Sequence, residues 1–125
     1  MKVNTLTVED PQYPEQLRQL SDAPHTLSVL GNESLQREPY SLSVVGSRKV
    51  SAYGRQITTD LVTDVARHGV IIVSGLALGV DAIAHKSCLQ AGGKTIAVMA
   101  NGLDSIYPSS HRNLALQIIE SGGLL

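Results

Sequence analysis

The sequence is short of several things that would have pointed to particular chemistries. It has one cysteine, Cys88, and neither phenylalanine nor tryptophan. One thiol supports no intramolecular disulfide and no cysteine-based zinc cage, and within a helix-like segment Cys88 reads as a small packing residue rather than a nucleophile. Long apolar runs are absent as well. The longest uncharged stretch, residues 69–80, falls well short of the ~20 residues of a membrane-spanning helix, and the N-terminus carries no apolar signal region. A soluble, cytoplasmic protein is expected. Nor is either charge in excess: ten Lys and Arg against eleven Asp and Glu give a formal net charge of −1, which argues against a uniformly basic nucleic-acid coat.

What is present is a chain of 125 residues, 42% of them hydrophobic. That suits one small domain with a real core, neither a multidomain protein nor a disordered tail. Charge is spread unevenly: residues 1–40 carry three basic and six acidic side chains, and residues 41–125 carry seven and five. Arg48, Lys49 and Arg55 fall within eight residues. Taken alone, a solvated loop accounts for them.

Residues 1–40 are irregular, because Pro11, Pro14, Pro24 and Pro39 interrupt any long helix. They leave room for a short helix over residues 15–20, a strand over 26–30 and a turn at Gly31-Asn32, and the stretch reads as a lead-in. From residue 41 to 125 the pattern is regular. Residues 42–45 form an apolar strand ending at Gly46; residues 53–67 place Ile57, Leu61, Val62 and Val65 on one helical face, with His68-Gly69 as a stop. A second strand spans residues 70–73 and leaves through Ser74-Gly75. A helix over 79–91 turns Val80, Ile83, Ala84 and Cys88 inward and ends at Gly92-Gly93. A third strand over 95–99 leads to a helix over 110–121, with Leu114, Ala115, Ile118 and Ile119 inward and Gly122-Gly123 after it. Short apolar strands alternating with amphipathic helices imply a doubly wound α/β fold, a parallel sheet with helices on both faces. The chain stops at Leu125, where the pattern calls for another strand. It is therefore expected to be truncated at its C-terminus, lacking a second half.

In such sheets ligands bind beyond the carboxyl ends of the strands, where helix N-termini present unpaired N–H groups. Three segments are expected there: Gly46-Ser47-Arg48-Lys49, residues 74–81, and Ala100-Asn101-Gly102-Leu103-Asp104. Glycines 46, 75, 79 and 102 would let a phosphate approach the backbone, Ser47 and Ser74 could donate hydroxyls, and Arg48 offers a fork suited to phosphate. Tight strand-to-helix turns explain the same glycines equally well. No nucleotide fingerprint is matched: Gly75-x-x-x-Gly79 lacks the Lys-Ser/Thr of a P-loop, and the first turn has no G-x-G-x-x-G.

Asp81 and His85 stand at i and i+4 at a helix start, so they can share a face. With no third ligand and no nucleophile tied to a base, the structural reading is preferred: Asp81 meets helix N–H groups or the glycine turn, and His85 is its partner. Ser110 and His111 read as caps of the last helix, His25 and His68 carry no functional case, and Tyr107-Pro108 fixes a turn. No catalytic residue, metal or cofactor is expected.

The motifs form a pattern when taken in order. Leu42-Ser-Val-Val-Gly46-Ser47-Arg48 with Tyr53-Gly54, then Val73-Ser74-Gly75-Leu-Ala77-Leu-Gly79-Val-Asp81-x-x-Ala84-His85, then Gly102-Leu-Asp104-x-x-Tyr107-Pro108 and Leu114, resemble the DNA-processing protein A family (DprA, also called Smf). Tyr13-Pro14-x-x-Leu17, Asp22-x-Pro24 and Leu30-Gly31-Asn32 resemble that family's lead-in. The resemblance implies a Rossmann-like core in a bacterial cytoplasmic protein. It further implies a non-enzymatic, homodimeric protein that binds single-stranded DNA and loads the recombinase RecA onto it for homologous recombination in natural transformation. It places Arg48 in the DNA pocket with Gly46 and Ser47 beside it, and has residues 74–81 shape the same end of the sheet. Without Phe or Trp, base stacking would use Tyr53, Tyr107 or Arg planes, so phosphate contacts should dominate. The alternative is a nucleotide-binding protein resembling the LOG-type phosphoribohydrolases, whose P-G-G-x-G-T-x-x-E motif supplies a glutamate that nothing here supplies. A fragment with no activity of its own is the third reading.

Overall fold

In a computed structural model of the chain, which describes residues 2–100, 102–103 and 109–125, nine strands and α-helices follow in order among the described residues. They are β1 (Asn4–Thr7), α1 (Glu15–Arg18), β2 (Thr26–Val29), β3 (Ser41–Ser43), α2 (Ala52–Arg67), β4 (Ile71–Ser74), α3 (Val80–Gln90), β5 (Thr95–Ala97) and α4 (Arg112–Glu120). From residue 41 onward this is the strand–helix alternation that the sequence predicts. Strands β3, β4 and β5 form a parallel sheet in that order, with Leu42 opposite Ile72 and Ile72 opposite Thr95.

Both crossovers step the same way across the sheet, and right-handed crossovers that do so lay their helices on the same side. Ile72 accordingly packs with Val62, Ala66, Ala84 and Cys88 of α2 and α3, while Ala97, on the same face, packs with Ala82, Leu114, Ala115 and Ile118 of α3 and α4. The opposite face carries Ile71, Ile96 and Leu124. The antiparallel ribbon β1–β2 covers it through Leu6 and Val29, with Tyr13 from the segment between the two strands, so there the described residues place the lead-in where helices were expected. The class is parallel α/β; the cover of the second face is what differs.

The lead-in is also stitched to the chain's last residues. Leu124 bridges in parallel to Ile96 and antiparallel to Gly31, and Leu30 and Leu125 exchange backbone hydrogen bonds of 3.0 and 2.8 Å. Gly31 has φ +118, and a Cβ there would lie 2.5 Å from the Gly123 carbonyl oxygen, so the close approach requires glycine. Residues 124–125 thus add a further strand position between β5 and the lead-in. Tyr13 anchors the other end, its hydroxyl donating to the Pro24 carbonyl at 2.8 Å.

Helix α2 sits differently from its predicted face. Val62 is 2% exposed and Ala66 5%, whereas Leu61 is 61% exposed. Among the described residues strand β3 is an edge, so the sheet ends beneath α2, and the stripe through Val62, Val65 and Ala66 is the one that finds partners.

Candidate anion-binding site at the strand ends

The turn after β3 is fixed by its own serine. Ser47 Oγ accepts the Lys49 N–H at 3.1 Å and donates to the Lys49 carbonyl at 2.8 Å, which leaves Arg48 and Lys49 exposed. Serine favours such turns because its short hydroxyl reaches the backbone two residues on. Helix α2 starts soon afterwards, capped by Ser51 Oγ accepting the Gly54 N–H at 3.0 Å, and has no acidic residue in its first turn. Two cations and the positive end of a long helix therefore follow one another along the chain. Among the described residues neither Arg48 nor Lys49 is in an ion pair.

The loop after β4 forms the seat for that turn. Gly79 has φ +82, and a Cβ there would lie 2.2 Å from the Ser47 carbonyl oxygen and 2.6 Å from that of Arg48. The next residue, Val80, donates its N–H to the Ser47 carbonyl at 3.1 Å. Gly46 faces the same residue from the other side, where a Cβ would meet Val80 Cγ2 at 2.8 Å. Glycines 46 and 79 thus admit neighbouring protein. Ser74 is buried and donates its hydroxyl to the Val44 carbonyl at 2.7 Å, tying β4 to the exit of β3. Gly75 donates its N–H to Asp81 Oδ2 at 3.1 Å. Gly102 is exposed, while Asn101, with Asp104, Tyr107 and Pro108, lies outside the described residues.

The centre of the loop is Leu76, fully buried at 0% exposure with φ 61. A left-handed backbone costs a residue with a Cβ about 1–2 kcal/mol, so it persists only where the surroundings impose it. Here two histidines do so. The Leu76 N–H donates to His85 Nε2 at 3.2 Å, and His111 Nδ1 donates to the Leu76 carbonyl at 2.8 Å. His85 Nδ1 lies 2.7 Å from Thr95 Oγ1, whose proton goes to the Ile72 carbonyl at 2.7 Å. This relay assigns His85 as the neutral Nδ1–H tautomer, with its Nε2 lone pair turned to Leu76. Burial pushes its pKa from 6.5 to about 4; Asp81 partly opposes that and His111 adds to it.

Two sequence expectations change accordingly. Asp81 does hold the glycine turn, but His85 is not its hydrogen-bond partner: the i, i+4 pair takes the successive amides of Gly75 and Leu76. His111 precedes α4 without a capping side-chain bond, and its ring reaches Leu76 instead. Thr95 was missed, although a hydroxyl in an otherwise apolar strand demands a buried partner. Among the described residues no group of three or more His, Cys, Asp or Glu could hold a metal. Likewise, no described helix is long and apolar enough to cross a membrane.

The profile of the family described as DNA recombination-mediator protein A matches residues 4–125. The chain belongs to that family. It is 37% identical over 113 residues to DNA processing protein DprA of Bacillus subtilis, covering 90% of this chain and 38% of that protein. Against protein Smf of Escherichia coli the identity is 44% over 113 residues, covering 90% and 30%. The chain thus spans about a third of the length of these relatives. Among solved structures, DNA processing protein A of Streptococcus pneumoniae superposes with a TM-score of 0.85 at 37% identity, covering 98% of this chain and 43% of that one. DNA processing protein A of Helicobacter pylori, described for its single-stranded DNA binding mode, gives 0.85 at 33% identity, covering 98% and 54%. Their shared domain is the Rossmann-like α/β unit described above.

Proposed function

We propose that this chain supplies the phosphate-contacting end of a single-stranded DNA-binding protein that processes incoming DNA in natural transformation, without catalytic turnover. The observation that carries this reading is the exposed Arg48-Lys49 turn at the carboxyl end of the sheet, with no ion pair among the described residues, in a chain whose Helicobacter pylori relative is described for single-stranded DNA binding. Arg48 would take a phosphate with its fork and Lys49 as a point charge, beside the backbone of Gly46 and Ser47. The Gly75–Gly79 loop and Gly102 would border that site, with Ser74, Asp81 and His85 supporting it from beneath. Tyr53, 76% exposed in the first turn of α2, offers a ring on which a base could stack. Within the proposal, residues 41–125 carry the site and residues 1–40 support it, in a cytoplasmic homodimer that passes its strand to RecA.

No observation favours the phosphoribohydrolase alternative: Asp81, the acidic residue at a helix start, is buried and spent on the Gly75 amide. The test is a salt titration of a fluorescent single-stranded oligonucleotide against this chain, with duplex DNA and AMP as competitors. Affinity should fall linearly in log–log form, by a slope of about 0.7 per phosphate contact. Competition by AMP at similar concentration would move the site to free nucleotides, and no binding at low salt would leave an inert fragment.

A further inference from the structure

We infer that His85 and His111 are positioning residues for the phosphate-contacting turn, acting through the backbone of Leu76. The inference rests on the DNA reading for its purpose and on the geometry alone for its mechanics.

Both backbone polar atoms of Leu76 are held by imidazole nitrogens, one on α3 and one at the head of α4. Its side chain is enclosed among Ala82, Ala97, Leu114 and Ile118. Leucine has no local means of stabilising the left-handed conformation, unlike Gly, Asn or Asp, so these outside contacts set it. The direction in which the chain leaves Leu76 decides where Gly79 arrives. Gly79 has no room to move: its Cα side faces the Ser47 and Arg48 carbonyl oxygens, and Val80 N–H is bonded to the first of them. A path of contacts therefore runs from His111 through Leu76 and Gly79 to the backbone that carries Arg48. The groups facing His85 are Asp81 on its own helix, the Thr95 hydroxyl from β5, the Leu76 amide and His111. Asp81 fixes the preceding amide, so two consecutive peptide units of the loop are held by side chains.

The experiment compares His111→Ala and His111→Asn with Val62→Ala, a cavity in the separate cluster under α2 that serves as a destabilised reference. Two quantities are read: amide hydrogen exchange across residues 75–80, and affinity for a single-stranded oligonucleotide at fixed salt. In His111→Ala the loop amides should exchange faster than in Val62→Ala, and affinity should drop roughly tenfold, the effect of one lost buried hydrogen bond. His111→Asn places an N–H donor near the position of Nδ1 and should recover both. Loop exchange no faster in His111→Ala than in Val62→Ala would overturn the inference, as would an Asn variant no better than Ala. Faster exchange in a chain whose wild type binds no oligonucleotide would support the brace and count against the DNA reading instead.

Discussion

Two loops meet at the same end of the sheet, and they are built in opposite ways. The Ser47–Lys49 turn is exposed, bonded mostly to itself, and carries two cations with no ion-pair partner among the described residues. The Gly75–Leu76 segment touches it through Gly79, yet there each N–H finds a side chain and Leu76 is wholly enclosed. The contrast separates two tasks. Charges that must meet a ligand cost little to fold when they stay in water. A loop that must hold those charges in place needs burial, and burial demands that every polar atom be satisfied. Affinity and stability should therefore respond to different residues.

The largest effect is expected on the buried side, and it is set by pH. His85 titrates near 6.5 when unfolded and near 4 when folded, so between those values the unfolded chain binds a proton that the folded chain does not. Stability is fully present above the upper value and is lost as pH falls towards the lower one, by about 3 kcal/mol in all. Thermal melts across this interval should show the loss. In His85→Gln, which keeps an acceptor for the Leu76 amide, the dependence should flatten once the shared titration of the carboxylates is subtracted. Equal slopes in the two proteins would mean that the His85 ring is hydrated, and the contrast between the loops would dissolve.

A smaller effect should come from Asp81→Asn. The substitution keeps an oxygen for the Gly75 amide but removes the charge from that hydrogen bond and from the N-terminus of α3, at a cost of about 1–2 kcal/mol. It should also sharpen the first result. Asp81 is the group that raises His85, so without it the pH window should extend lower. Oligonucleotide affinity measured well below the melting temperature should hardly change. Held stability with collapsed affinity would instead move Asp81 into the company of the exposed turn.

This division was only partly legible in the sequence. The helix stops were, because Gly69, Gly92 and Gly122 each take the positive φ that ends a helix in a left-handed residue. The convergence of the Gly46–Lys49 and 74–81 segments followed from the rule that ligands sit beyond strand ends, and the structure brings them into backbone contact. Periodicity placed both Leu61 and Val62 inward, yet of the two Val62 alone is buried, since neighbours on a helix differ by part of a turn and the edge position of β3 is a tertiary fact. Strand β1 was missed because it pairs across the irregular lead-in, with Asn4 opposite Val29. Nothing in residue type announces a left-handed leucine, and His111 acts on a carbonyl 35 positions away. Local reading assigned it instead to the helix beside it.

The smallest effect on stability, and the sharpest on binding, should come from Arg48→Ala. The side chain is exposed and has no hydrogen bond or ion pair with the described protein, so the melting curve should stay within about 0.5 kcal/mol of wild type. One lost phosphate contact should reduce the salt slope of oligonucleotide binding by about 0.7–1. Arg48→Lys discriminates further, because it keeps the charge and gives up the fork: the slope should recover while affinity at fixed salt stays below wild type. An unchanged slope in Arg48→Ala, with a melting curve that fell, would reverse the assignment of the two loops. The exposed turn would then be scaffold, and the phosphate contacts would have to come from elsewhere along the strand ends.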